Sequence, residues 1–372
     1  MPEAPPSPLS IVLESKKPII FSGVAGGVVL ADAGRTAFAT AAEGAEITSV
    51  PMPQGLPGEG NVLQFAGRIP SSIWAIFEEP KVGKDPAKNP FLRFERAKGS
   101  WKQYADDWKP HLTAWSKNRI LALSTSSGKL KIKVVEPHLD KPTPDMPSPR
   151  LDDEGCAKSL KIDAISALPS GEVFAAGFCK PADGGRKAVL VRWAESNIAP
   201  SPTPLPVEDA GPNDAGASDA GPDGEPLGIT GQVIFVPEWI KPAALVAQAP
   251  GDVWLLGESE KKEGKIFRLE SGKIVNQPLP KLDAPVRALA AASDGTLWLV
   301  SERAIWKRYP PGEWEEVPPP TRAFPEPEPH WEMQNVWASG SDIWIAAKHS
   351  SSKAERHVVM RLRAAKEILH WP

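Results

Sequence analysis

The histidines are the side chains of this sequence with the widest range of chemistry, because imidazole binds metals and transfers protons near neutral pH. None of them has the HExxH spacing or a similar metal-binding spacing. Glu326, Glu328 and His330 alternate along a Pro-rich segment, where a metal site would need further ligands from elsewhere. His349 and His357 bracket the loop of the last unit, and we predict that they are solvated loop histidines. We expect no metal ion or other cofactor. The six histidines are His111, His138, His330, His349, His357 and His370.

Two cysteines, Cys156 and Cys179, flank a predicted pair of strands. Cys156 comes just before the first strand and Cys179 just after the second, so both lie at the same end of an antiparallel pair. A disulfide is geometrically possible there and would suit an exported protein. We predict this disulfide, with two free thiols as the alternative. Two cysteines without a close histidine cannot form a structural zinc site.

The sequence motifs of common enzyme classes are missing. The chain has no Gly-x-Ser-x-Gly elbow, no phosphate-binding loop and no Rossmann fingerprint. Its net charge is −3, whereas nucleic-acid-binding proteins usually show a strong basic footprint. We therefore expect no nucleic-acid partner.

A repeated phrase of tight turn and apolar strand indicates which elements carry the candidate residues. Its copies are residues 251–257 (GDVWLLG), 295–301 (GTLWLVS), 341–347 (SDIWIAA), 71–77 (SSIWAIF) and 171–177 (GEVFAAG). A period of about 45 residues with several short strands per unit is typical of a β-propeller. The 42 prolines disfavour long helices. We predict an all-β fold, a β-propeller of seven blades with three to four antiparallel strands each.

Seven units align by their second strands. A ring of blades must close, and either residues 11–13 or residues 19–21 could complete the last blade. We expect the second strands to begin near Gly34, Ser71, Asn118, Gly171, Gly251, Gly295 and Ser341.

The N-terminal segment bears on where the protein works. Residues 1–10 (MPEAPPSPLS) are Pro-rich, and we interpret them as a tether before a single propeller domain at residues 11–372. Residues 16–33 resemble a signal peptide, but Pro18 and three glycines favour the strand interpretation. We expect an exported protein of the periplasm or outer cell surface, which contacts a membrane only through an N-terminal anchor missing here.

The distance of 80 residues from Gly171 to Gly251 marks an insertion. Residues 209–224 repeat Asp-Ala-Gly without any large apolar side chain, so burial cannot offset the entropy cost of ordering them. We predict a disordered acidic insertion at about residues 206–228. The carboxylates lack the alternate spacing of a calcium loop. Residues 231–239 (GQVIFVPEW) are predicted to form a strand outside the repeat.

Loop lengths divide the propeller into two faces. The short-turn face carries the tight turns between strands one and two and between strands three and four. The long-loop face carries the long connections, among which we place the insertion. Because sites concentrate on loops held by a rigid scaffold, we predict binding there, at Trp115, Trp239, Trp331, His330, His349 and Lys348. Each tryptophan could instead pack in the core, and the lysines of these loops form either a mixed solvated surface or an anion-binding one.

Residues 293–314 (SDGTLWLVSERAIWKRYPPGEW) resemble the propeller repeats of two-component-regulator sensor domains and of bacterial exported propeller proteins. The Asp-Ala-Gly tract resembles, in composition, tracts in cell-envelope proteins of myxobacteria. The resemblance implies an exported β-propeller whose relatives mostly recognise proteins or glycans, while some propellers are lyases or glycosidases.

These features favour a noncatalytic cell-envelope binding or scaffold protein that recognises a protein or glycan through the long-loop face. The alternative is a propeller-fold polysaccharide lyase or glycoside hydrolase, which needs two carboxylates, or a histidine with a metal, converging at the channel mouth. A sensor fragment of a larger receptor is a third hypothesis.

Overall fold

The chain folds into short antiparallel strands joined mostly by turns. Within the described residues lie 29 strands and one helix, Glu154–Ser159 (α1). No helix in these stretches is long and apolar enough to span a membrane. The computed structural model describes residues 7–33, 36–50, 61–70, 72–78, 91–95, 100–105, 112–116, 119–126, 129–135, 150–194, 230–320, 330–350, 355–363 and 368–371.

The first strand of the chain, β1 (Ser10–Ser15), belongs to the last sheet, and the next eleven strands form sheets 1 to 3 in chain order. Sheet 1 contains β2 to β5: Ile19–Val24, Gly27–Asp32, Phe38–Ala42 and Thr48–Val50. Sheet 2 contains β6 to β9: Asn61–Arg68, Ser72–Glu78, Phe91–Glu95 and Ser100–Ala105. Sheet 3 contains β10 to β12: Leu112–Ser116, Arg119–Ser126 and Lys129–Val135.

Sheets 4 to 6 follow in the same way, with one addition in sheet 4. There the short β13 (Arg150–Leu151) pairs in parallel with the outer strand β17. Sheet 4 also contains β14 to β17: Lys161–Ala167, Glu172–Cys179, Lys187–Ala194 and Thr230–Phe235. Sheet 5 contains β18 to β21: Lys241–Ala249, Asp252–Glu258, Gly264–Glu270 and Lys273–Gln277. Sheet 6 contains β22 to β25: Val286–Ala291, Leu297–Ser301, Ile305–Arg308 and Glu315–Val317.

Sheet 7 joins the two ends of the chain. It contains β26 (His330–Ser339), β27 (Asp342–Ser350), β28 (Glu355–Arg361), β1 and β29 (Leu369–Trp371), in that spatial order. Strand β1 pairs antiparallel with β28 and parallel with β29. Residues 11–13 therefore complete the last sheet, and the alternative is wrong because residues 19–21 open sheet 1.

The described strands form seven sheets arranged around a ring. The first strand of each sheet contacts the first strand of the next, and β26 of sheet 7 contacts β2 of sheet 1. This arrangement confirms the predicted all-β propeller. Sheets 2 and 3 are described only in part, so the number of blades stays a prediction, as do the domain bounds. Residues 1–6 of the predicted tether lie outside the described residues, and Leu9 is buried against the core between sheets 6 and 7.

A tryptophan recurs at the third position of three second strands. Trp74, Trp254 and Trp344 are each at most 1% exposed. Sheets of a propeller are wedged against one another, and large flat side chains fill the space between them. These tryptophans are therefore core residues.

A buried ion pair fastens the last sheet to the first. Arg361 is paired with Asp342, and both side chains are at most 3% exposed. The Gly44 N–H donates to Asp342 Oδ2 at 2.6 Å, and Arg361 Nη1 donates to the Ala45 carbonyl at 2.5 Å. Because Gly44 and Ala45 follow β4 of sheet 1, this network spans the junction at which the ring closes.

The first unit differs from its prediction. Its second strand is β3, which begins at Gly27 and not near Gly34. The hairpin before it turns at Gly26, whose φ of 77° lies in the left-handed region that glycine adopts readily. The expected strand position therefore falls one strand too late, close to β4.

The acidic insertion leaves the short-turn face, and its predicted place on the long-loop face is wrong. Residues 230–235 do not lie outside the repeat: β17 pairs antiparallel with β16 and is the fourth strand of sheet 4. Residues 195–229 therefore connect strands three and four, whose joined ends lie on the short-turn face. The predicted disordered segment at residues 206–228 lies outside the described residues.

Candidate functional site

One cluster of aromatic and cationic side chains stands on the long-loop face of sheet 4. The guanidinium carbon of Arg186 lies 3.4 Å from the centroid of the Phe178 ring and 5.5 Å from that of Trp239. Lys161 Nζ lies 5.9 Å from the same Phe178 centroid. We call these four residues, Lys161, Phe178, Arg186 and Trp239, the cation–aromatic platform.

Strand alternation places Phe178 at the surface. Side chains two residues apart point to the same face of a strand, and Phe174 and Ala176 are buried in the core between sheets 4 and 5. Phe178 continues that row to the end of β15, where it is half-buried. Lys161 is directly opposite it in the register of β14 and β15. The core row thus ends in a ring that solvent can reach.

Arg186 and Trp239 come from the two connections that flank this ring. Arg186 is exposed and immediately precedes β16, and Trp239 is half-buried between β17 and β18. The neighbouring Ile240 is fully buried and contacts the core of sheets 4 and 5. This buried neighbour anchors the backbone that carries Trp239.

The loop of residues 180–186 is tied to helix α1 at its beginning. Cys156 of the helix is bonded to Cys179, with 4.9 Å between their Cα atoms, which confirms the predicted disulfide. The Lys180 N–H donates to Ser159 Oγ at 2.7 Å, and that hydroxyl donates to the Gly155 carbonyl at 2.8 Å. A side chain at Gly155 would overlap the backbone of the loop. The helix therefore braces the loop whose end carries Arg186.

Charge on the platform is not balanced within the described residues. Neither Arg186 nor Lys161 forms an ion pair with a carboxylate among them. Two acidic side chains near the platform are already occupied: Asp183 pairs with Lys187 at 3.0 Å and Glu238 with Lys265 at 3.5 Å. Two cations thus lie beside one ring, no described carboxylate is paired with either, and an anion bound next to the ring would be attracted by both.

A second cluster lies on the long-loop face of sheet 7. Lys348 Nζ and Glu355 Oε2 are 2.8 Å apart, and His357 Nε2 lies 3.3 Å from Glu355 Oε1. The bond to Glu355 raises the pKa of Lys348, and the bond to Lys348 lowers the pKa of Glu355. Burial lowers the pKa of His357, and the nearby Glu355 partly opposes this effect. The charges in this cluster largely neutralise one another.

The two histidines that bracket the loop between β27 and β28 are not solvated, and the prediction of solvated loop histidines is wrong here: His349 is 2% exposed and His357 6% exposed. The His349 ring lies edge-on to Trp331 with 4.8 Å between centroids. Trp331 packs in turn against the core between sheets 6 and 7. On strand β1, Glu14 lies 3.6 Å from Arg356 and 3.4 Å from His370. The aromatic rings here are packed, and Glu14 lies beside two basic side chains.

The predicted binding residues lie in three separate parts of the structure. Trp239 is in the platform. His330, Trp331, Lys348 and His349 are together at the long-loop end of sheet 7, where His330 is exposed. Trp115 lies in β10 of sheet 3, where its backbone pairs with Ile120, and its side chain is outside the described residues. Whether any of them binds a ligand stays a prediction.

Sequence reasoning missed Phe178, Arg186 and Lys161. Lys161 and Phe178 are seventeen positions apart in the printed sequence, and only the strand register brings them together. Two features of the sequence could have indicated the platform. Phe178 is an aromatic residue next to Cys179, and Arg186 and Lys187 form a basic pair at the end of the following loop. Among the described residues, no three His, Cys, Asp or Glu side chains lie close enough to hold a metal ion.

Comparisons with known proteins reveal the fold and little more. No family model and no curated protein sequence matches the chain. Virginiamycin B lyase from Staphylococcus aureus matches with a TM-score of 0.52 and 13% identity, over 95% of this chain and 97% of the lyase. Raptor from Chaetomium thermophilum matches with a TM-score of 0.52 and 10% identity, over 98% of this chain and 30% of Raptor.

A third match is the extracellular domain of a B. thetaiotaomicron protein assigned to the one-component systems. Its TM-score is 0.52 and its identity 10%, over 95% of this chain and 40% of that chain. The three matched proteins differ in function while sharing an architecture, as is common for this kind of fold. The likeness supports the predicted resemblance to propeller proteins at the level of the fold.

Proposed function

We propose that this protein is a noncatalytic binding protein that recognises a glycan or protein through the long-loop face of its propeller. The observation that carries the proposal is the platform, in which Phe178 and Trp239 lie beside two cations that have no carboxylate partner among the described residues. Rings and cations held at the surface of a rigid scaffold are typical of recognition sites.

The proposed location is the cell envelope, in the periplasm or on the outer surface. The Cys156–Cys179 disulfide supports export, because disulfides persist in oxidising compartments. The propeller architecture shared with an extracellular domain supports it as well. The kinship with myxobacterial envelope proteins rests on the composition of the Asp-Ala-Gly tract and stays a prediction.

The proposal is tested by binding measurements with variants of the two faces. W239A and R186A should each weaken binding to a retained member of a panel of polysaccharides and envelope proteins by about tenfold, or about 1.4 kcal/mol. The matched control is Y309A, because Tyr309 is an aromatic residue of the short-turn face and 64% exposed. Binding that Y309A abolishes and W239A leaves unchanged would contradict the proposal.

A second candidate function, a polysaccharide lyase or glycoside hydrolase, has one observation in its favour. His357 is buried at the long-loop end of sheet 7, its pKa is lowered, and it contacts Glu355. Histidines with shifted pKa values beside carboxylates recur at catalytic sites. If the wild-type protein forms a product from a polysaccharide and the H357Q variant does not, this function is favoured over binding alone.

A further inference from the structure

The platform has the chemistry to select one class of ligand. We propose that it binds an acidic glycan, a polysaccharide whose sugar rings carry carboxylate or sulfate groups. This inference rests on the proposed function, which it narrows from any glycan or protein to one charged class. Its parts are Lys161, Phe178, Arg186 and Trp239.

Stacking fixes the direction in which Arg186 can bind. With its guanidinium carbon 3.4 Å from the Phe178 centroid, one flat face of the group is covered by the ring. The N–H donors of a guanidinium lie in its plane, and two of them match the two oxygens of a carboxylate. The exposed edge of Arg186 is therefore presented to an anion in a fixed orientation.

Lys161 adds a second charge to the same place. Its ammonium lies over the ring that Arg186 stacks on, and no carboxylate among the described residues neutralises either cation. The chain as a whole has a net charge of −3, so this local excess of positive charge is a property of the platform. An anionic ligand bound beside this ring is attracted by both cations.

The aromatic rings favour a sugar over an acidic peptide. Sugar rings present apolar C–H faces that lie flat on aromatic side chains, and a uronic or sulfated sugar carries its charge on that same ring. Phe178 and Trp239 are both half-buried, so each has an edge or face left for contact. An aspartate or glutamate side chain of a peptide would pair with the cations but has no apolar ring face to lie on Trp239 or on the remaining surface of Phe178.

The loop that carries Arg186 is held before any ligand arrives. The disulfide and the Ser159 hydrogen bond fix its first residues against helix α1. A binding loop that is already ordered loses less conformational entropy on association.

The test compares ligands that differ in charge alone. The full chain is titrated with polygalacturonate and with its fully methyl-esterified form, which has the same backbone and no free carboxylates. Alginate and dextran sulfate, with uncharged dextran, extend the comparison. We expect at least tenfold tighter binding of polygalacturonate than of its ester, and weaker binding as sodium chloride rises.

Variants assign the effect to the platform. R186A and K161Q should each weaken polygalacturonate binding by about fivefold or more, and R186K should recover only part of the loss, because lysine keeps the charge but not the planar fork. K273Q is the control, since Lys273 is an exposed cation next to a short turn of the opposite face. K273Q should leave the affinity unchanged.

Three results would overturn the inference. Equal affinity for polygalacturonate and its ester would remove the acidic class while leaving glycan binding by this face in place. Failure to bind polygalacturonate, alginate and dextran sulfate at low salt would also remove the acidic class. Binding of neutral glycans and of proteins would then test the proposed function separately. Tight polyanion binding that K273Q weakens as much as K161Q would place the site elsewhere.

Discussion

At the scale of single residues, ionic groups play two opposite roles in this molecule. Asp342 and Arg361 are buried, paired with each other, and hydrogen-bonded to the backbone of Gly44 and Ala45 across the junction between sheets 7 and 1. Arg186 and Lys161 are exposed, and the described carboxylates leave them without a counter-charge. Residues of the first kind stabilise the ring, and those of the second kind are available to a ligand.

The substitution D342N should be strongly destabilising. It leaves Arg361 buried without its counter-charge, and breaking a buried ion pair costs about 3–5 kcal/mol. Urea denaturation measures the loss. The control is E315Q, because Glu315 forms an exposed pair with Lys307 at 3.2 Å and is 70% exposed, so its loss should cost about 1 kcal/mol or less. Equal effects of the two variants would contradict the role of Asp342.

His357 should make stability depend on pH. Burial lowers its pKa in the folded protein, while in the unfolded chain its pKa is about 6.5. The unfolded state therefore binds the proton first, so the stabilisation is complete above about pH 6.5 and is lost as the pH falls through the folded pKa. The free energy of unfolding, measured from pH 7.5 to pH 5, should fall more for the wild type than for H357Q. Parallel curves would refute the assignment.

At the scale of elements, the short helix α1 holds the loop that carries Arg186 in one conformation. The double substitution C156S/C179S should lower stability by about 2–4 kcal/mol, the usual range for a native disulfide. It should also speed amide hydrogen exchange in residues 180–186 under conditions in which exchange in β23 of sheet 6 is unchanged. If the loop exchanges at the same rate in both proteins, the disulfide does not brace it.

The strands were largely predictable from the sequence, because turn residues and apolar runs are local signals. Six of the seven second strands begin within two residues of their predicted starts. The prediction for the first strand is wrong because the turn before it lies at Gly26, several residues earlier than the expected start near Gly34. The prediction for β17 is wrong because residues 195–229 separate it from its partner β16, and pairing over such a distance has no local signature.

The platform was less predictable for the same reason. The sequence identifies Trp239 as an aromatic residue near a long loop. Its contact with Arg186 can be predicted only once the fold is known. Phe178 and Lys161 meet through strand register, and Arg186 through a loop braced by a helix that the sequence did not indicate. Sites assembled by long-range pairing follow from a structure and not from spacing alone.

At the scale of the whole molecule, the ring depends on strand β1. Its residues Ile11 to Ser15 pair with β28, and Leu13 is fully buried. Deleting residues 1–15 should lower the unfolding temperature by more than 10 °C. Sheet 7 would lose a central strand and also Glu14, the partner of Arg356. In proteins of this size, each kcal/mol of lost stability lowers the unfolding temperature by about 2–4 °C. Deleting residues 1–6 is the control and should leave it nearly unchanged. Equal unfolding temperatures for both deletions would contradict closure by β1.

The central claim is that the long-loop face of sheet 4 binds the ligand. Hydrogen–deuterium exchange of the full chain, with and without saturating polygalacturonate, tests it most directly. We predict slower exchange in residues 178–187 and 236–241 and no change in the turn at residues 309–312. Protection of that turn or of the long-loop end of sheet 7 instead, or no protection anywhere, would contradict the account.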